Sequence, residues 1–143
     1  MNVNVLVDAS GSMTENDKES VVKYLLYAIN GYANGDNSFS IKLFQWGNRL
    51  IEVESVFKVE IEEGRASDEV VEFLRNHSED KNFIITDGGF TREIKNGIRT
   101  IPDRKDIYYV GVGCDCNMPS LRSVADSEHI YLAQDAISCL KKC

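Results

Sequence analysis

Short apolar runs alternate with amphipathic stretches along the whole of this chain, and that order restricts the fold more than any other property of the sequence. Strands separated by helix-length amphipathic segments predict an α/β fold with parallel pairing and crossover helices. A sandwich needs successive strands, and a bundle needs helices alone. Residues 2–8, NVNVLVD, begin with alternating valines and close in the run Val5, Leu6, Val7, as in a strand passing into two-sided burial. Asn16 with Glu19 three residues on makes a capping box. Val22, Leu25, Leu26, Ile29 and Tyr32 then recur at helical spacing and fade at Asn34-Gly35.

The pattern continues. Residues 38–46 alternate through Phe39, Ile41 and Leu43, Gly47-Asn48 is a two-residue hairpin signal, and 49–54 resume a strand, so strands two and three are expected to be antiparallel. Ser67 opens a second helix with Val70, Phe73, Leu74 and His77 on its apolar face, and 81–88, KNFIITDG, reads as a buried strand ending in Asp87. Thr91 caps a third helix carrying Ile94, Ile98 and Ile101. A fifth strand at 106–113, a helix near 118–126, a last strand HIYLA and a helix with Ile137 and Leu140 complete the series.

A chain of 143 residues fits one domain, 1–143, since single cores usually run to roughly 100 to 200 residues. Its net charge of −7 repels phosphate backbones and anionic lipid, so neither nucleic acid nor a membrane surface is an expected partner. No run approaches the roughly 18 apolar residues of a membrane span, and the N-terminus lacks a charged region followed by an apolar one; a cytoplasmic protein is expected. Cys114, Cys116, Cys139 and Cys143 cluster near the C-terminus, unlike the spread of a disulfide-stapled secreted domain, and read as reduced thiols.

The chemistry concentrates in Asp8-Ala9-Ser10-Gly11-Ser12-Met13, where the first buried strand gives way to the first helix. In open α/β sheets ligands sit beyond the carboxyl ends of the strands, at the switch point of the strand order. Asp8, Ser10 and Ser12 supply a carboxylate and two hydroxyls over one turn, and Asp87 ends a second buried strand expected to lie beside the first. An all-oxygen set without imidazole or thiolate suits a hard cation such as Mg²⁺, which keeps several waters and needs few protein ligands.

With DASGSM after strand one, the hairpin, FIITDG ending strand four and YYVGVG as strand five, the sequence resembles the von Willebrand factor A (VWA) domain family and its metal-ion-dependent adhesion site (MIDAS). The resemblance runs from the first strand to the last helix. It implies a Rossmann-like, doubly wound sheet of about six strands, mostly parallel, with the third antiparallel at an edge and helices on both faces. It implies a divalent cation, Mg²⁺ or else Mn²⁺ or Ca²⁺, touched directly by Ser10 and Ser12 and through water by Asp8 and Asp87. The family's further threonine is not matched: Glu63-Gly64-Arg65-Ala66-Ser67 puts Ala66 in register, leaving Ser67, Thr91 or water to take its place. Ser67 reads somewhat more readily as a helix cap, its hydroxyl accepting a helix N–H, than as a metal ligand.

The implied function is a non-enzymatic protein-binding module in a bacterial multi-protein assembly, whose partner offers an acidic side chain to the open cation position. Two alternatives stand beside it. One is a metal-free VWA scaffold, motivated by Ala66. The other is a haloacid-dehalogenase-like phosphohydrolase with Asp8 as nucleophile, although Ser10 stands where its general acid would be. A four-thiolate zinc site is disfavoured, because strand five delivers Cys114 and Cys116 to the upper rim while the last helix carries Cys143 back down the sheet. His77 and His129 are isolated and read as packing residues. The sequence leaves the oligomeric state open.

Overall fold

A computed structural model of the chain describes residues 1–8, 13, 17–35, 40–54, 67–113 and 116–142. The elements in chain order are β1 (Asn2–Asp8), α1 (Lys18–Gly35), β2 (Ser40–Trp46), β3 (Leu50–Val53), α2 (Ser67–Asn76), β4 (Lys81–Thr86), α3 (Arg92–Arg99), β5 (Ile107–Gly111), α4 (Met118–Arg122), β6 (Ile130–Leu132) and α5 (Ala136–Lys142). The strands form one six-stranded sheet in the order β3-β2-β1-β4-β5-β6. All neighbours are parallel except β2 and β3, so the antiparallel strand lies at an edge, as expected. The chain winds from β1 to β2 on one side and returns to β4 on the other, which makes the β1/β4 boundary the switch point.

Alternation along β1 divides the core. Val3, Val5 and Val7 pack with Val22, Leu25, Leu26 and Ile29 of α1 and Leu140 of α5. Leu6 belongs to the opposite layer, with Val70 and Leu74 of α2, Ile94 and Ile98 of α3 and Leu121 of α4. Side chains on successive strand residues face opposite ways, so a parallel strand buried on both faces must be apolar on both. Asn4, 2% exposed, is the buried polar residue within β1, apart from Asp8 at its end. Its amide donates to Asn82 Oδ1 at 3.0 Å and to Asp80 Oδ2 at 3.2 Å, satisfying a polar group that the alternating valines would leave on an exposed edge.

The hairpin differs from its expected form. Trp46 pairs with Leu50, leaving residues 47–49 as a three-residue connection in place of the two-residue turn that Gly47-Asn48 suggests. Glu69 of α2 accounts for the difference: its carboxylate accepts the Leu50 N–H at 2.7 Å and the Arg49 guanidinium at 3.4 Å, holding the turn against the helix. The capping box at Asn16 lies outside the described residues, and α1 begins at Lys18 after Asp17 at φ 59°. Thr91 caps α3 as expected, its hydroxyl accepting the Ile94 N–H at 3.3 Å.

Tyr109 of β5 is 1% exposed, and its hydroxyl has no hydrogen-bond partner among the described residues. Burial pushes the phenol well above the ordinary tyrosine range, against the opposing charge of Arg104. A raised folded value means that this contribution to stability is whole below the unfolded value near 10 and declines as pH rises past it. Tyr109→Phe is therefore expected to be neutral or to stabilise by about 1 kcal/mol at pH 7, and to flatten the loss of stability above about pH 10. Urea denaturation at pH 7 and pH 10.5 checks both.

Candidate functional site

Parallel strands carry their last residues to one edge of the sheet, and at the switch point these are Asp8 of β1 and the Thr86-Asp87 step that ends β4. Val7 pairs with Ile85, so Asp8 stands opposite Thr86, whose hydroxyl donates to Asp8 Oδ2 at 2.6 Å. The Thr86 hydroxyl also accepts the Gly88 N–H at 3.1 Å. Asp87 closes the turn with Oδ1 accepting the Gly89 N–H at 3.0 Å, while its carbonyl accepts the Asn117 N–H at 2.8 Å. Gly88 has φ 80°, and a Cβ there would stand 2.6 Å from the Asn117 carbonyl oxygen, so both the backbone conformation and the space require glycine. Beneath the turn, Phe90 stacks on Trp46 at 5.8 Å.

The structure thus brings together two of the expected residues. Asp8 and Asp87 are each 5% exposed and stand at the ends of adjacent strands, Asp8 held by the Thr86 hydroxyl next to Asp87. Ser10 and Ser12 lie outside the described residues, as does Ala66. Ser67 is half-buried at the first residue of α2, consistent with a helix start. Thr91 is engaged as a cap.

A residue that the sequence analysis passed over completes the geometry. The Lys18 ammonium donates to Asp87 Oδ2 at 3.0 Å, with the two side chains 2% and 6% exposed. Lys18 is the first residue of α1, where the helix dipole disfavours a cation by about 0.3–1 kcal/mol. The Asp87 carboxylate offsets that cost and the desolvation of the ammonium. The signal was present: Lys18 precedes Val22, Leu25 and Ile29 by four, seven and eleven residues, so a charged residue extends the apolar stripe of the helix.

This arrangement bears on the fit of a divalent cation. The described part of the rim carries two carboxylates, but the oxygens of Asp87 already hold an ammonium and a backbone N–H, and Asp8 Oδ2 holds a hydroxyl. A dication and an ammonium sharing one carboxylate would repel by about 6–8 kcal/mol at about 4–5 Å and an effective permittivity near 20. With Lys18 in place the described residues do not fit the ion. Among them, no group of three or more His, Cys, Asp and Glu side chains is placed to hold a metal.

Other candidate chemistry lies elsewhere. His77 and His129 precede β4 and β6, at the edge where the parallel strands begin, far from the rim in the strand direction. His77 stacks on Phe73 at 4.0 Å and His129 on Tyr108 at 5.2 Å. Cys139 is buried in the layer of α1 and α5, whereas Cys116 packs against the layer of α2, α3 and α4, so these two thiols are on opposite faces. Cys114 and Cys143 lie outside the described residues.

No protein-family model matches the sequence, and no curated protein is similar enough to it to stand as a relative. Solved structures do resemble it in fold. An aerotolerance-related membrane protein from Bacteroides fragilis superposes with a TM-score of 0.75 at 12% identity, covering 99% of this chain and 97% of that one. Proximal thread matrix protein 1 from the mussel byssus gives 0.67 at 16% identity, and this chain spans only 44% of its length. The SpRpn10 VWA domain gives 0.56 at 12% identity, over 96% of this chain and 94% of that one. At such identities the likeness speaks for architecture alone, and that architecture, a mostly parallel six-stranded sheet with one antiparallel edge strand between helical layers, is VWA-like.

Proposed function

We propose that this chain is a non-enzymatic protein-binding module and that the rim around Asp8 and Asp87 is its contact surface. The observation that carries the reading is the placement of both aspartates at the ends of the adjacent strands β1 and β4, Asp8 bonded to Thr86 beside Asp87, at the switch point of a VWA-like sheet. A role within a bacterial multi-protein assembly belongs to the same proposal. The phosphohydrolase alternative is weakened, since Ser10 stands where its general acid would be.

A second reading keeps the cation. In it Mg²⁺, or Mn²⁺ or Ca²⁺, rests on Asp8, Ser10, Ser12 and Asp87 with Ser67 nearby, and an acidic side chain of the partner completes its shell. The two rim carboxylates favour it; the Lys18 ammonium opposes it.

Asp8→Asn separates surface from scaffold, because the amide oxygen can still accept from Thr86. A binding partner isolated by crosslinking and then purified should bind the Asp8→Asn protein at least about tenfold more weakly, a loss of about 1.4 kcal/mol, with an unchanged melting curve. Equal affinity would remove the rim as the contact surface. Titration in Mg²⁺ and in EDTA distinguishes the two readings: the first expects equal affinities, the second a loss in EDTA.

A further inference from the structure

We propose that the Lys18 ammonium is the resident cation of the rim, occupying the carboxylate that a divalent ion would need and thereby excluding the ion. The inference deepens the metal-free form of the rim reading, but it is tested without any partner, so either can fail alone.

Three features support it. The pair is buried at both ends, with Nζ to Oδ2 at 3.0 Å, so the ammonium and the carboxylate are held together out of water. Its acceptor is fixed in orientation: Asp87 Oδ1 accepts the Gly89 N–H and the Asp87 carbonyl accepts the Asn117 N–H. A carboxylate anchored through its other oxygen and its own backbone cannot turn freely to a second cation. Lastly, Lys18 lies at the start of α1 on the same stripe as Val22, Leu25 and Ile29, which are buried against the sheet. Its stem therefore enters with the apolar face of the helix, and withdrawing it to admit a metal would leave a gap in a packed layer.

A monovalent cation tethered to the chain and a free dication are alternatives for the same charge. The tethered one is always at hand, so a free ion must compete with it for the Asp87 carboxylate. Wild-type protein is thus committed to the metal-free state, and removing the ammonium should open the rim carboxylates to an ion.

The test uses Mn²⁺ as probe, with binding followed by electron paramagnetic resonance and by thermal melts in EDTA and in Mn²⁺. The wild-type chain should melt identically in both and show no saturable binding. Lys18→Met should melt about 10 °C lower in EDTA, recover most of that loss in Mn²⁺, and bind Mn²⁺ at least about tenfold more tightly than wild type. Lys18→Met with Asp87→Asn should regain stability without Mn²⁺ and lose the binding again. Wild-type protein that binds Mn²⁺ as tightly as Lys18→Met would overturn the proposal, as would a folded Lys18→Met protein with no gain in Mn²⁺ affinity. Should Lys18→Met not fold at all, the other two proteins decide. A wild-type melt unmoved by Mn²⁺ beside a folded double variant supports the proposal, and a wild-type melt raised by Mn²⁺ sinks it.

Discussion

Asp87→Ala is expected to lower the unfolding free energy by about 3–5 kcal/mol, because it takes the carboxylate away from a lysine that stays buried. Breaking one half of a buried ion pair costs more than the pair contributes, since the remaining charge keeps its desolvation penalty. Asp87 also accepts the Gly89 N–H, so the turn loses a bond as well. Asp87→Asn keeps the shape and that acceptor while losing the charge, and should cost less than Asp87→Ala by about 1 kcal/mol, the worth of the turn bond. Denaturant titration of the two variants against wild type measures both steps. Equal stability of all three proteins would mean that the ion pair is not formed in solution.

Gly88→Ala should come next, at about 3 kcal/mol. The positive φ of 80° costs an L residue about 1–2 kcal/mol, and a Cβ 2.6 Å from a backbone oxygen cannot be relieved by a side-chain rotation. What must move is Asn117, whose N–H bonds to Asp87 and whose side chain caps α4 by accepting the Ser120 N–H at 3.2 Å. The damage is therefore expected at both ends of the contact, in α4 and in the orientation of Asp87. Gly31→Ala supplies the contrast within the same chain: it lies inside α1 with nothing within 4 Å of a built Cβ, and should raise stability by up to about 1 kcal/mol through helix propensity. Hydrogen exchange at 86–90 and 117–121 would place the Gly88→Ala effect.

The elements were legible because each carries a period. Val22, Leu25, Leu26 and Ile29 mark a helix face, and the strands from Val5 to Val7 and from Phe83 to Ile85 are continuous apolar runs that only two-sided burial explains. Asp8 and Asp87 were legible as neighbours for the same reason, since each ends such a run. What the local pattern could not supply was pairing at a distance. Asn4 looks like the polar half of an edge alternation until Asn82, seventy-eight residues on, is placed beside it. Glu69 looks like a helix-surface acid until the hairpin N–H that it accepts is in place. Lys18 reads as a solvated first-turn residue unless its position on the apolar stripe is weighed, and its partner is sixty-nine residues away. The expected ligands Ser10 and Ser12 lie outside the described residues, so the MIDAS reading of DASGS stays with the sequence.

The central claim is that a lysine, and no metal, supplies the positive charge at the rim. A crystal of the wild-type protein grown in Mn²⁺, with anomalous diffraction collected at the manganese edge, addresses it most directly. The account predicts no anomalous peak at the rim, with Lys18 Nζ still within hydrogen-bond distance of Asp87 Oδ2. A manganese peak at coordination distance from Asp8 or Asp87, with the Lys18 side chain displaced from the carboxylate, would contradict it.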